Sequence, residues 1–388
     1  MCAETAYLIE LTAAFLRDEP VTLRPDIDYH KLCGIAKAHN LIAVVYAVCN
    51  KAPNTEVIPE DCRLALSEHF FSSVFLYEHQ KQGVERVYRV LSDAGIPHVF
   101  FKGAILKELY PVPECRLMGD IDLLINPANR QTAKKALMSS GFACTAQNGP
   151  VYDYRKGDVL LEVHTALISD DPRCETAFAN AMDQAQFEGC CGKLEDNYHF
   201  AYLIAHLAHH FRFYGAGIKL ILDLAVMLQR CRIDEKAVLT LCEEAGLAQF
   251  AKIVLTVCYR WYGVGTPYVD DTADCESFLV SYGAFGNADR NKSAVIARRQ
   301  MEHGEKASPL RSKLLLAFPA YSQMRRIPYI RFLDGHPWLT PYAWCYRLIY
   351  NTRHRKDFMV RTARGLDSDD AYAAAKEELE FFKEMGLL

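Results

Sequence analysis

The sequence predicts an α+β chain in which one small mixed sheet is embedded in a mostly helical protein. Three observations carry this reading. Apolar residues recur at helical spacing over most of the chain, short strand-like runs are confined to residues 98–167, and glycine and proline mark the changes between the two patterns. The 388 residues, 51% of them apolar, with 44 basic against 48 acidic side chains, are ample for a buried core and exclude disordered and fibrous classes. The longest apolar run, Leu41 to Cys49, is far short of the ~20 residues that cross a bilayer, and Met1 to Pro20 has no basic start before an apolar stretch. A cytoplasmic protein without a membrane span is expected.

Along the chain, Leu32, Ile35, Ala36 and His39, then Ile42, Ala43 and Tyr46, give an all-helical opening punctuated by Pro20, Pro25 and Pro53. A helix is predicted over Tyr77 to Ala94, ended by Gly95 and Pro97. His98 to Lys102 reads as a strand, Ile105 to Leu109 as a return to helix, and Leu117 to Ile125 as a second strand. Pro127 opens a helix that ends near Gly141. Val151 to Tyr154 and Val159 to Leu167 read as antiparallel strands joined at Lys156-Gly157-Asp158. Beyond Asp170 only helices are predicted: Tyr198 to His210, Ile218 to Leu228, Glu235 to Ala245, Ala248 to Tyr262, and finally Asp369 to Glu384. These patterns divide the chain into an N-terminal helical region (1–76), a sheet-containing core (77–170), a helical domain (171–267) and a C-terminal helical region (268–388).

None of the fourteen cysteines forms a Cys-x-x-Cys pair, so most are read as buried thiols of a reducing compartment. Charge is uneven. Arg290 to Arg364 holds 16 basic and four acidic residues, scattered among apolar ones, which leaves a surface for an anionic partner as one reading and an ordinary solvated face as the other.

The sharpest chemical signal is Asp120-Ile121-Asp122 followed by Leu123-Leu124-Ile125. On a strand, residues two apart share a face, so both carboxylates project together while Ile121 and Leu123 enter the core. Repulsion between such carboxylates is relieved by divalent cations, and magnesium binds through one or two carboxylates plus substrate phosphates. The plainer alternative makes Asp120 a loop cap and Asp122 a solvated strand residue. Lys102-Gly103 ends the preceding strand and starts a helix, where backbone N–H groups and an absent side chain suit a phosphate. Glu162 lies on a later strand with His164 on the same face, and it completes a three-carboxylate cluster if that strand neighbours the Asp-x-Asp strand. Arg116 is placed to pair with a phosphate or with a carboxylate. His206, His209 and His210, at i, i+3 and i+4, are read either as metal ligands or as a core residue, a partner of Asp223 and a wet residue. Tyr152, Tyr154, Tyr198, Tyr202 and Phe211 are candidates for stacking on a base or for filling the core.

Phe101-Lys102-Gly103, Arg116-Leu117-Met118-Gly119-Asp120-Ile121-Asp122-Leu123-Leu124 and Leu161-Glu162-Val163-His164 resemble the uncharacterised bacterial nucleotidyltransferases of the polymerase-beta-like superfamily. His206-Leu207-Ala208-His209-His210 and Gly217-Ile218-Lys219-Leu220-Ile221-Leu222-Asp223-Leu224 are similar to the helical segment that follows the catalytic sheet there, as is the early Ala36-Lys37-Ala38-His39-Asn40 helix. The resemblance implies a small nucleotidyltransferase-like sheet that binds two magnesium ions and a nucleoside triphosphate. It makes Asp120, Asp122 and Glu162 the metal-binding and catalytic residues, with Glu162 also able to take the acceptor proton, and Lys102, Gly103, Arg116 and His164 substrate-binding. Transfer of NMP from an NTP such as ATP to an unidentified hydroxyl, on a small molecule, protein or RNA, would release pyrophosphate. The chain departs from the family pattern in having Gly103-Ala104 where Gly-Ser is usual, a longer gap to Asp120, and Glu162 where Asp is usual. Two other function classes remain open: a catalytically silent nucleotide-binding or interaction protein on the same fold, and a metal hydrolase built on the histidine cluster.

Overall fold

The computed structural model describes residues 1–168, 171–281, 283–284, 298, 301, 309–325, 327–333, 335–354 and 369–388. The chain divides into two compact units, Met1–Asn287 and Ala288–Leu388. In the first unit, α1 (Ala3–Arg17), α2 (Tyr29–Ala38) and α3 (Ile42–Cys49) lead into the 34-residue α4 (Glu60–Asp93). This last helix begins well before the expected Tyr77, because its Pro59 and first-turn Glu60 and Asp61 form a favourable helix start. Then follow β1 (His98–Phe101), α5 (Gly103–Leu106), β2 (Ile121–Ile125), α6 (Arg130–Ser139), β3 (Ala143–Asn148), β4 (Val151–Lys156), β5 (Val159–His164), α7 (Pro172–Ala177), β6 (Ala185–Glu188) and β7 (Cys191–Leu194). Helices α8 (Asp196–Phe213), α9 (Ile218–Arg230), α10 (Glu235–Glu244), α11 (Ala248–Tyr262) and α12 (Ala273–Ser281) complete the unit, as their apolar periodicity predicts for α8 to α11.

The seven strands form one mixed sheet in the order β3-β4-β5-β2-β1-β7-β6. β2 is central, antiparallel to β1 and parallel to β5, with Asp122 paired to Phe101 on one side and to Glu162 on the other. All five of its residues are buried, the reason it reads as a nearly continuous apolar run rather than as an alternation. The hairpin β4–β5 turns where expected, at a Gly157 whose φ of +59° suits glycine. On one face of the sheet Phe100, Ile121, Leu123, Ile125, Leu161 and Val163 pack with Val87 and Leu91 of α4 and with Ala133 and Leu137 of α6. The other face turns toward α8, where the Phe101 ring meets Tyr202 edge-on at 5.6 Å.

Three strands escape the sequence patterns. β6 and β7 contradict the expectation of helices alone beyond Asp170. Their sequences, Ala-Gln-Phe-Glu and Cys-Gly-Lys-Leu, contain no β-branched residue, and they are extended because β7 adds in parallel to β1 through His98–Cys191 and Val99–Gly192. β3 is irregular, with a register shift between Cys144 and Ala146. The second strand also begins later than expected, at Ile121 rather than Leu117. The carbonyls of Leu117 and Met118 are instead taken by Lys219 Nζ at 2.7 Å and by Gln80 Nε2.

In the second unit the helices Pro309–Ala317, Tyr321–Met324, Thr340–His354 and Asp369–Glu384 are formed, the last with the predicted bounds. Met324, Ile330, Leu333 and Ala343 make a small core of their own. Of the 16 basic residues between Arg290 and Arg364, nine lie outside the described residues. None of the fourteen cysteines is in a disulfide; seven are buried and five half-buried. Among the described residues no helix is long and apolar enough to cross a membrane.

Leu123 is fully buried at the middle of β2 and packs in the core of the sheet. Leu123→Ala is expected to lower stability by about 2–5 kcal/mol, read as a fall in the urea midpoint with an unchanged slope.

Candidate active site

A cavity of about 330 Å³ opens beside β2, lined by Lys102, Gly103, Arg116, Gly119, Asp120, Asp122, Glu162, His206, His210, Lys219 and Asp223. Its volume lies at the lower end of the ~300–1,000 Å³ typical of small-molecule sites. Six of the seven residues singled out from sequence thus line one cavity, and the seventh, His164, touches two of them.

The parallel register sets Glu162 beside Asp122, and Asp120, immediately before the strand, brings a third carboxyl into the same space. Lys102 Nζ is 2.8 Å from Asp122 Oδ1. His164 Nε2 lies between the acids, 3.2 Å from Asp122 Oδ1 and 3.3 Å from Glu162 Oε2. β4 sets a fourth acid, Asp153, opposite Glu162 in the antiparallel ladder, which sequence reasoning did not single out.

The charges follow from these contacts. Burial would raise Asp122, but Lys102 and His164 outweigh it and hold the carboxyl below its ordinary value. Glu162 is lowered, first by its hydrogen bond with His164 and against burial. Burial, the charges of Asp122 and Glu162, and a hydrogen bond with Glu162 together push Asp120 up to about 7. Burial opposes the charge on His164, yet its hydrogen bonds to Asp122 and Glu162 prevail and raise it.

Asp122, Glu162 and His164 each offer one ligand atom, and these atoms lie within 4.8 Å of one another. With Asp120 beside them, three carboxylates and an imidazole form a donor set suited to a divalent cation, the oxygen-rich part favouring magnesium and the imidazole tolerating manganese or zinc.

The turn after β1 is under strain. Lys102 has φ 49° and ψ −125°, a conformation that side chains other than glycine's rarely adopt. Its N–H donates to His199 Nε2 of α8 at 3.2 Å, and burial keeps that imidazole neutral, with a value down to about 4. At Gly103 a Cβ would stand 2.6 Å from Arg116 Nη1 and 2.7 Å from Met118, so glycine is needed here for packing as well as for any phosphate. Ala104 is buried.

Of the two partners open to Arg116, the structure shows the carboxylate. Arg116 Nε and Nη2 donate to the two oxygens of Asp223 on α9 at 3.0 and 2.9 Å, and Tyr110 Oη donates to the same carboxylate at 2.7 Å. Asp223 is therefore held by arginine and tyrosine, not by one of the helical histidines as expected. His206 and His210 line the cavity as neutral rings, His206 driven far down and His210 to about 4, burial being the first cause in both. The trio His206, His209 and His210 is absent from the sets whose ligand atoms converge among the described residues. Tyr154, Tyr202 and Phe211, candidates for stacking, are fully buried core residues.

Lys219 and His199 were not assigned a role from sequence. Lys219 is quoted in the helical motif, but nothing local shows that its Nζ reaches the Leu117 carbonyl 102 positions away. Burial first, then Arg116, lowers its ammonium to about 7.

A family model described as an uncharacterised nucleotidyltransferase matches residues 25–263, more than half of the chain. The chain belongs to this nucleotidyltransferase family. The match spans α2 to α11 and includes every residue of the cavity. No curated protein and no solved structure matches the chain.

Two outcomes follow for this nucleotidyltransferase. Arg116→Met leaves Asp223 buried without its cation and is expected to cost about 3–5 kcal/mol, measured by urea unfolding. Lys219 has a folded value below that of the unfolded chain, so the unfolded state binds the extra proton between about 7 and 10.5. Its burial therefore destabilises fully below pH 7, and the penalty fades as the pH rises to about 10. Relative to wild type, Lys219→Met should be favoured most near pH 6.5 and lose on the order of 1–3 kcal/mol of that advantage by pH 9.5. A stability difference that stays flat across that range would refute the depressed value.

Proposed function

We propose that this chain transfers NMP from a nucleoside triphosphate to an acceptor hydroxyl with release of pyrophosphate. The observation that carries the reading is the convergence of Asp120, Asp122 and Glu162 in one cavity, next to the Lys102-Gly103 turn. Asp120, Asp122 and Glu162, with His164 as a neighbour, would hold two magnesium ions. When bound, these ions would neutralise the triphosphate and acidify the acceptor hydroxyl.

The protein groups act around that centre. Lys102 Nζ, now 2.8 Å from Asp122 Oδ1, is a long flexible cation that can turn from the carboxylate to the phosphates once the acids have another counter-ion. Lys219, held against the Leu117 carbonyl, offers a second ammonium to the cavity. Glu162 is the most accessible of the ion-paired acids, its side chain 35% exposed against 4% for Asp122, and it is placed to receive the proton of the attacking hydroxyl. Positioning and charge neutralisation supply the acceleration, since no nucleophilic side chain is required. The cell compartment proposed is the cytoplasm, where free thiols persist.

The second reading, a silent nucleotide-binding protein, has one specific support: Lys102 already answers the charge of Asp122, and Ala104 lacks the hydroxyl of the usual Gly-Ser pair. Small-molecule, protein and RNA acceptors are separated by what becomes labelled.

The protein is incubated with magnesium, each α-labelled NTP and cell extract, beside Asp122→Asn and Glu162→Gln controls whose folding is verified by circular dichroism. Wild type is expected to label one acceptor and to release pyrophosphate, and both variants to lose at least about a hundredfold in rate. NTP binding without pyrophosphate release would favour the silent protein, and labelling undiminished in Asp122→Asn would refute this site.

A further inference from the structure

A second group of metal-ligating side chains lies away from the cavity, where α2 meets the first turn of α4. His30 and Cys33 are one turn apart on α2, and therefore on one face of the helix. Asp61 and Cys62 are adjacent at the start of α4. His30 Nε2 is 2.8 Å from Asp61 Oδ2, and the ligand atoms of His30, Asp61 and Cys62 all lie within 4.8 Å of one another. Cys33 lies close enough to Cys62 to feel its charge. Cys62 is buried and Cys33 half-buried, while His30 and Asp61 face solvent with side chains 62% and 71% exposed.

The chemistry of this set differs from that of the cavity. Two sulfurs, one imidazole nitrogen and one carboxylate oxygen are the donors of a four-coordinate zinc site, and soft thiolates discriminate against magnesium. A carboxylate also stands near the other ring nitrogen, beyond hydrogen-bond distance. Asp28 Oδ1 is 4.0 Å from His30 Nδ1, and it is itself fixed by accepting the Lys31 N–H at 3.1 Å. A carboxylate behind a metal-bound histidine orients the ring and selects the tautomer whose other nitrogen faces the metal. The long, exposed side chains of His30 and Asp61 are the ones that must rotate to bring the four ligand atoms to ~2.0–2.3 Å from a common centre.

We propose that His30, Asp61 and Cys62, with Cys33 as the fourth ligand, bind one zinc ion that clamps α2 to the N-terminus of α4. Two thiol protons leave as the metal enters, so binding weakens on acidification. The clamp is structural, since four protein ligands leave no position for substrate. The proposal is independent of the transferase reading.

The test uses the full-length reduced protein, stripped with a chelator and titrated with Co²⁺ as a spectroscopic probe. The expected result is one equivalent giving a thiolate-to-cobalt charge-transfer band in the near ultraviolet, bleached by added Zn²⁺ and unchanged in Glu162→Gln. His30→Ala and Cys62→Ser should each weaken the cobalt affinity by at least about tenfold, and Asp28→Asn by about tenfold. His30 is exposed, so its variant reports binding without disturbing the core, and far-ultraviolet circular dichroism checks the fold of Cys62→Ser. Zn²⁺ should also raise the Tm of wild type but not that of His30→Ala. The proposal fails if no thiolate band forms, if the band survives intact in His30→Ala and Cys62→Ser, or if cobalt binding is abolished by Glu162→Gln instead. It fails equally if Cys33 and Cys62 form a disulfide in the untreated protein and no metal is taken up after reduction.

Discussion

The first unit is organised around the burial of one negative charge. Asp122 sits at the centre of a seven-stranded sheet, on a strand whose every residue is shielded from water. A carboxylate there is tolerable only if cations and hydrogen-bond donors meet it at contact distance. Lys102 and His164 do so from the two strands that flank β2. Lys102 reaches Asp122 by leaving β1 through a left-handed turn, a conformation that costs about 1–3 kcal/mol and persists because surrounding contacts over-determine it. The His199 acceptor, the close-packed Gly103 and the side chains of Arg116 and Met118 are those contacts.

Around this centre lies a second set of charges that never meets the first directly. Arg116, Asp223, Tyr110 and Lys219 are all buried, and their bonds fasten α9 to the segment that leads into β2. Arg116 is consumed by geometry: its planar guanidinium is matched to both oxygens of Asp223, and Nη1 lies close to Gly103. The arginine thus acts on the cavity as a strut, while the lysines, with single mobile charges, remain the cations suited to a phosphate.

What could be read from the sequence and what could not have different physical origins. The helices and β1, β2, β4 and β5 were readable because burial imposes a period of 3.6 or 2 on a single stretch of chain. The same rule placed Asp122 and Glu162 on one face of two strands, and their pairing needed only that the strands be neighbours. Nothing local announces that Asp223 belongs to Arg116, 107 residues earlier, or that Lys219 belongs to Leu117. β6 and β7 were invisible for a related reason: their extended form is imposed by the edge of β1 rather than by their own composition. His30, Asp61 and Cys62 show the same limit, since their ligand atoms converge only where α2 meets the start of α4.

The parallel junction between β2 and β5 carries a consequence for biosynthesis. An antiparallel hairpin closes as soon as its turn emerges, but here about forty residues, including α6, β3 and β4, must be made and folded back before Glu162 can lie beside Asp122. Asp223 follows roughly sixty residues later still. Lys102 and Arg116 are made before the acids, and Lys102 can meet Asp122 as soon as β2 pairs with β1, whereas Glu162 and His164 arrive about forty residues later. The buried charges are completed in stages, and a chain ending short of α9 has the acids and Lys102 but lacks Asp223, the partner of Arg116.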